Sequence, residues 1–157
     1  MKKSDGELDW ELGKLSVALK ISEEDVVEYF TDGRRVSFIL ERRLAKEKLN
    51  GVIAKSEGAS YDIIAKNGGK WEVRSISKDV YFCPSYMVGS GRIFEEDGFL
   101  EKLKNIEGYI LSDIKKFPKI PYWIIKSSIV LKWYNSGKLG TTTKVTRKKV
   151  FGLINEL

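Results

Sequence analysis

The chain has 157 residues, 42% of them hydrophobic, and a formal net charge of +6, which suits one folded domain with its own core and argues against disorder. It contains no histidine and one cysteine, Cys83, which excludes Ser-His-Asp and Cys-His catalysis, histidine-ligated metal centres, cysteine zinc sites and intrachain disulfides. That usage fits a reducing, cytoplasmic setting, and neither a secretory h-region after Met1-Lys2-Lys3 nor a membrane-spanning apolar stretch is expected.

Residues 7–20 place Leu8, Leu12, Leu15 and Leu19 on one stripe and predict an amphipathic helix. Ser22 predicts the N-cap of a second helix, Glu23 to Phe30, whose early acids suit the helix dipole. Thr31-Asp32-Gly33 then breaks to a third. Residues 1–35 are thus expected as a helical element ahead of a core at 36–157, all within a single domain, 1–157. Leu15 to Ser22, followed by Val26, Tyr29 and Gly33-Arg34-Arg35, resembles the helix-turn-helix of small repressors, so the alternative function is a non-catalytic DNA-binding regulator. Against it, Glu23, Glu24, Asp25 and Glu28 on the would-be recognition helix repel phosphates; Arg34 and Arg35 remain candidate DNA contacts.

The third helix, read over Val36 to Leu49, carries Phe38, Glu41, Ala45 and Leu49 along one line. Glu41 therefore sits inside an apolar line and needs a partner. Next comes a β-hairpin, Tyr61-Asp62-Ile63-Ile64 and Trp71-Glu72-Val73-Arg74-Ser75-Ile76 around Lys66-Asn67-Gly68-Gly69. With Asn67-Gly68-Gly69 as the loop, Asp62 is expected opposite Arg74, Glu72 lies on the neighbouring diagonal, and all three share a face. Two hard carboxylates can hold Mg²⁺, whose bound water loses a proton near neutral pH, while a cation offsets charge on the phosphorus. The residues alone also fit a cross-strand ion pair on a solvated hairpin.

A helix Glu41, a strand Asp62 and Glu72-Val73-Arg74 on the next strand resemble the PD-(D/E)XK superfamily of restriction-endonuclease-like nucleases. The resemblance covers about residues 36 to 77. It implies an α+β fold with a restriction-endonuclease-like mixed central sheet flanked by helices, Asp62 and Glu72 as metal ligands for Mg²⁺, Glu41 completing the site, and Arg74 at the position of the family's lysine. It also implies a type II restriction endonuclease acting on double-stranded DNA, with a homodimer expected so that two sites cut two strands. Arg74 departs from the pattern, since arginine stays protonated and cannot act as a general base.

Further on, Asp79 to Cys83 predicts a short strand, and Pro84 to Arg92 a loop with small residues, in which Arg92 is a candidate contact to DNA. Glu95 to Asn105 reads as a helix with Phe94, Leu100 and Leu103 inward, followed by strands at Gly108 to Ile114 and Tyr122 to Ile125 separated by Pro118 and Pro121. Ser127 to Tyr134 predicts a short helix before a polar loop, Gly137 to Thr143. From Ile114 to Asn155 there are ten cations and no acid, with Tyr122, Trp123, Trp133 and Tyr134 among them. This basic third predicts a polyanion surface, with Lys144, Arg147, Lys148 and Lys149 as DNA-binding candidates and the aromatics in the core.

Overall fold

The structure is a computed structural model and describes residues 1–56 and 59–157. Along the chain run β1 (Gly6–Asp9), α1 (Leu12–Leu19), α2 (Glu23–Phe30), α3 (Gly33–Glu47), β2 (Val52–Ile53), β3 (Ile63–Ile64) and β4 (Lys70–Ser75). There follow β5 (Asp79–Tyr81), α4 (Glu96–Asn105), β6 (Gly108–Ser112), β7 (Lys119–Lys126), α5 (Ser127–Asn135), β8 (Lys144–Thr146) and α6 (Arg147–Asn155). Six strands form a mixed sheet in the order β1-β7-β6-β4-β3-β2, and β5 pairs with β8 in a small antiparallel sheet.

Strand β6 is buried along its whole length, and its side chains alternate between two cores. Tyr109 and Leu111 pack with Phe99, Trp133 and Val150 of α4, α5 and α6, whereas Ile110 packs with Val26, Leu40 and Leu44 of α2 and α3. Helices therefore cover both faces, as expected around a parallel pair, and β4 and β6 are that pair. α4 lies on the crossover between them, the connection that parallel strands require. The fold is thus α+β, a mixed sheet flanked by helices.

The expected N-terminal helical element is corrected at its start. Gly6–Asp9 is a strand paired antiparallel with β7, and Leu8 is buried, while α1 begins at Leu12 and buries none of its residues. Edge pairing with β7 outweighs the helical spacing of the leucines, because one strand residue in two can reach the sheet core. The second helix and its cap form as expected: Asp25 N–H donates to Ser22 Oγ at 3.0 Å, and Asp32 caps α3 by accepting from Arg34 N–H at 2.9 Å. Pro121 lies inside β7, opposite Glu7, and does not separate two strands. On α4, Leu103 is buried as expected, but Phe94 and Leu100 are only partly so, and Phe99 takes the central place.

The C-terminal aromatics Tyr122, Trp123 and Trp133 are core. Arg147, a candidate DNA contact, also serves as an internal tie, since Nη1 and Nη2 donate to the two carboxylate oxygens of Asp113, each at 2.6 Å, and Asp113 is 2% exposed. The pair anchors the start of α6 to the end of β6. Removing one member strands the other's charge, so Arg147→Ala is expected to cost about 3 kcal/mol of stability in urea unfolding. Lys148→Ala, on the exposed side, should stay within about 0.5 kcal/mol of the parent.

Candidate active site

Strand β4 presents Glu72 and Arg74 on one face, as alternation dictates. The hairpin register differs from the expected one: Ile63 pairs with Trp71 and Ile64 with Lys70, and Ala65 N–H donates to Gly69 O at 2.8 Å. Gly68, at φ +86°, supplies the left-handed turn residue. Asp62 is therefore not opposite Arg74; the pairing is shifted by two residues. A shift of two leaves every side chain on its own face, and so the three groups still converge. Asp62 sits beyond the regular ladder, where its N–H donates to Trp71 O at 2.9 Å and its Oδ2 accepts Val73 N–H at 2.8 Å.

Glu72 is 2% exposed, and both of its oxygens are neutralised. Oε1 meets Arg74 Nη1 at 2.7 Å and Oε2 meets Lys102 Nζ at 2.8 Å. Lys102 reaches in from α4, is 6% exposed, and also donates to Ser60 O at 3.3 Å. Burial lowers its pKa and Glu72 opposes that shift. Arg74 spends further donors on the end of β5 and the chain after it: Nε on Tyr81 O at 2.9 Å, Nη2 on Cys83 O at 3.0 Å and Nη1 on Ser85 Oγ at 3.4 Å. The guanidinium thus clamps the 81–85 segment onto the site.

Glu41 joins from α3, though along a corrected line. Val36, Leu40, Leu44 and Ala45 form the buried stripe, while Phe38 is 59% exposed under the Arg42 guanidinium, 3.3 Å from the ring centre. Glu41 lies at the edge of that stripe and faces the other acids. Burial first, and then the charges of Asp62 and Glu72, raise its pKa to about 7. Burial and then Glu72 raise Asp62 to about 6.

Two clefts meet at Asp62 and Ser85. One, of about 480 Å³, is lined by Ser60, Glu72, Tyr86, Glu101 and Lys102 among others; the second, of about 670 Å³, by Asp32, Arg34, Glu41, Arg74 and Asp79 among others. Lys102 is the site residue that the sequence reading missed. Its signal was nonetheless present, for Phe99, Lys102 and Leu103 place a cation inside the buried stripe of α4, the same anomaly that singled out Glu41 on α3.

The remaining DNA-contact candidates are scattered. Arg34 lines the larger cleft; Arg35 pairs with Asp32 at 3.6 Å; Arg92 is exposed in the glycine loop. Lys144 lies 3.5 Å from Asp79, and Lys148 and Lys149 line a groove with Lys138 that none of the clustered carboxylates borders.

Among the described residues no three His, Cys, Asp or Glu side chains form a ready metal cage. Mg²⁺ needs none, because it keeps most of its waters and takes one or two carboxylates. The donor set fits such an ion: it offers hard oxygens only, crowded acids whose pKa values stand raised, and Glu41 and Asp62 without an ion-pair partner among the described residues. The chain matches no family model, no curated protein and no solved structure.

The raised carboxyls have a stability consequence. Because their folded pKa values lie above the ordinary 4.5 and 3.8, the folded state holds these protons more tightly, and the contribution of Glu41 and Asp62 declines as pH rises through about 6 to 7. Glu41→Gln is therefore expected to stabilise the metal-free protein at pH ~8, on the order of 1 kcal/mol once solvent screening is allowed for. The gain should vanish near pH ~4, where both side chains are neutral. Urea midpoints at the two pH values measure the difference.

Proposed function

We propose that this protein is a Mg²⁺-dependent endonuclease that hydrolyses phosphodiester bonds of double-stranded DNA, in the manner of the restriction-endonuclease-like nucleases it resembles. The observation that carries this reading is the grouping of Glu41 and Asp62 beside Glu72, which is itself paired with the buried Lys102 and the part-buried Arg74, next to two clefts. Asp62, whose Oδ1 accepts no hydrogen bond among the described residues, would hold the metal, with Glu72 adding a lone pair left beside its contacts to Arg74 and Lys102. When bound, the ion supplies a water of lowered pKa and draws charge from a phosphoryl oxygen.

The chain's own groups divide the rest of the work. Glu41 has no ion-pair partner among the described residues and would accept a proton from the attacking water, a role that arginine cannot take. Lys102 Nζ, held by Glu72 and Ser60 at the wall of the smaller cleft, stands where a fixed positive charge can offset the charge that builds on the phosphoryl group. Arg74 orients Glu72, since its donors are committed to that carboxylate and to the 81–85 segment. Two copies of the chain would cut two strands. The regulator reading has less support, because α2 opens with Glu23, Glu24 and Asp25.

Purified protein is expected to nick or linearise plasmid DNA with Mg²⁺ and not with EDTA. Asp62→Ala and Lys102→Met should each lower the single-turnover rate by about 10²-fold or more, while Arg74→Lys keeps a measurable rate. Cleavage in EDTA, or undiminished cleavage by Asp62→Ala, would withdraw the assignment. If Lys148 and Lys149 touch phosphates, neutralising either should lower the slope of log affinity against log salt by about 0.9.

A further inference from the structure

The smaller cleft has one wall that hydrolysis alone does not require. Tyr86 lines it together with Asp62, Glu72 and Lys102, yet the side chain is 57% exposed. It is also held in place. Tyr86 belongs to a 3₁₀ turn, Ser85–Met87, whose approach is clamped by Arg74 through Cys83 O and Ser85 Oγ. At its tip the phenol Oη lies against α4 at Gly98, where a Cβ would overlap Tyr86 Oη and Met87 Cε. The phenol is thus a solvent-facing aromatic surface on a turn whose approach is tied through one guanidinium to the carboxylate at the heart of the site.

Resting on the nuclease reading above, we propose that Tyr86 is a stacking platform for a nucleobase drawn out of the helix, so that the nucleotide beside the cut phosphate occupies the smaller cleft as an unstacked unit. Three observations converge on it. The cleft, at about 480 Å³, falls in the range of small-ligand sites and takes a nucleoside, not a stack of base pairs. A duplex offers its base edges in the grooves and keeps its base faces covered, so an aromatic face here can be met only by an unstacked base. Glu101 and Asn105 line the same cleft one helical turn apart, joined by Asn105 Nδ2 donating to Glu101 Oε1 at 3.4 Å, and bring a carboxylate and an amide to meet a base edge. The larger cleft, which shares Asp62 and Ser85 as lining residues, would receive the strand on the far side of the cut.

The test uses short oligodeoxynucleotides carrying 2-aminopurine, either single-stranded or at an unpaired position in a duplex, titrated with the full-length protein in EDTA. Binding should quench the probe, and Tyr86→Ala should weaken binding by on the order of 10-fold or more, the scale of one base–aromatic stack, while Tyr86→Phe stays within about 3-fold. With Mg²⁺, a duplex with an unpaired base at the cut should be cleaved faster than a fully paired one, and Tyr86→Ala should erase that advantage. Equal quenching and affinity for wild type and Tyr86→Ala, or no quenching by wild type, overturns the platform. The two readings fail separately: Tyr86-dependent stacking by a protein that never cleaves refutes the nuclease alone, and cleavage indifferent to Tyr86 on every substrate refutes the platform alone.

Discussion

A carboxylate buried to 2% exposure, Glu72, sets the terms for much of this structure. Left alone in the core it would be too costly to keep ionised, and among the described residues no backbone amide relieves it. Its two oxygens are met instead by cations from different places, Arg74 two residues along the same strand and Lys102 from α4. Each cation then makes a second attachment, Arg74 to Tyr81, Cys83 and Ser85 and Lys102 to Ser60. One buried charge thereby fixes the spacing of β4, α4 and the two loops that wall the smaller cleft.

Glu41 and Asp62 lack such compensation, and their raised pKa values record it. Three acids from α3, the end of β3 and β4 are brought together at a cost that apolar packing on both faces of the sheet must offset. Crowded, partly desolvated carboxylates in a cleft mark a candidate functional site, because an added cation would relieve their mutual repulsion. This is the physical content behind the nuclease proposal.

The basic C-terminal third divides between structure and surface. Arg147 belongs to the architecture, bonded to Asp113 at the end of β6, and Lys144 faces Asp79 across the β5–β8 pair. Lys148 and Lys149, next in sequence, stay on the surface at the start of α6. Adjacent cations in one run therefore do different things, according to which side of the helix start each occupies.

Much of this was legible in residue types and spacing. The acids of the hairpin were recognisable because period-two alternation keeps Asp62, Glu72 and Arg74 on one face whether or not the register slips by two, and Glu41 because it borders an apolar stripe. The Ser22 cap is local, so the sequence carried it directly. What depended on distant partners was not legible. Leu8 could follow a helical stripe or a strand until β7 offered an edge, Arg147 looked like its lysine neighbours until Asp113 came within reach, and Lys102 became part of the site only when the crossover between β4 and β6 laid α4 beside Glu72. Which side chains share a face follows from residue order alone, because backbone period sets it within a few residues; which charges meet waits on the folded chain, because burial and ion pairing join residues that lie far apart along it.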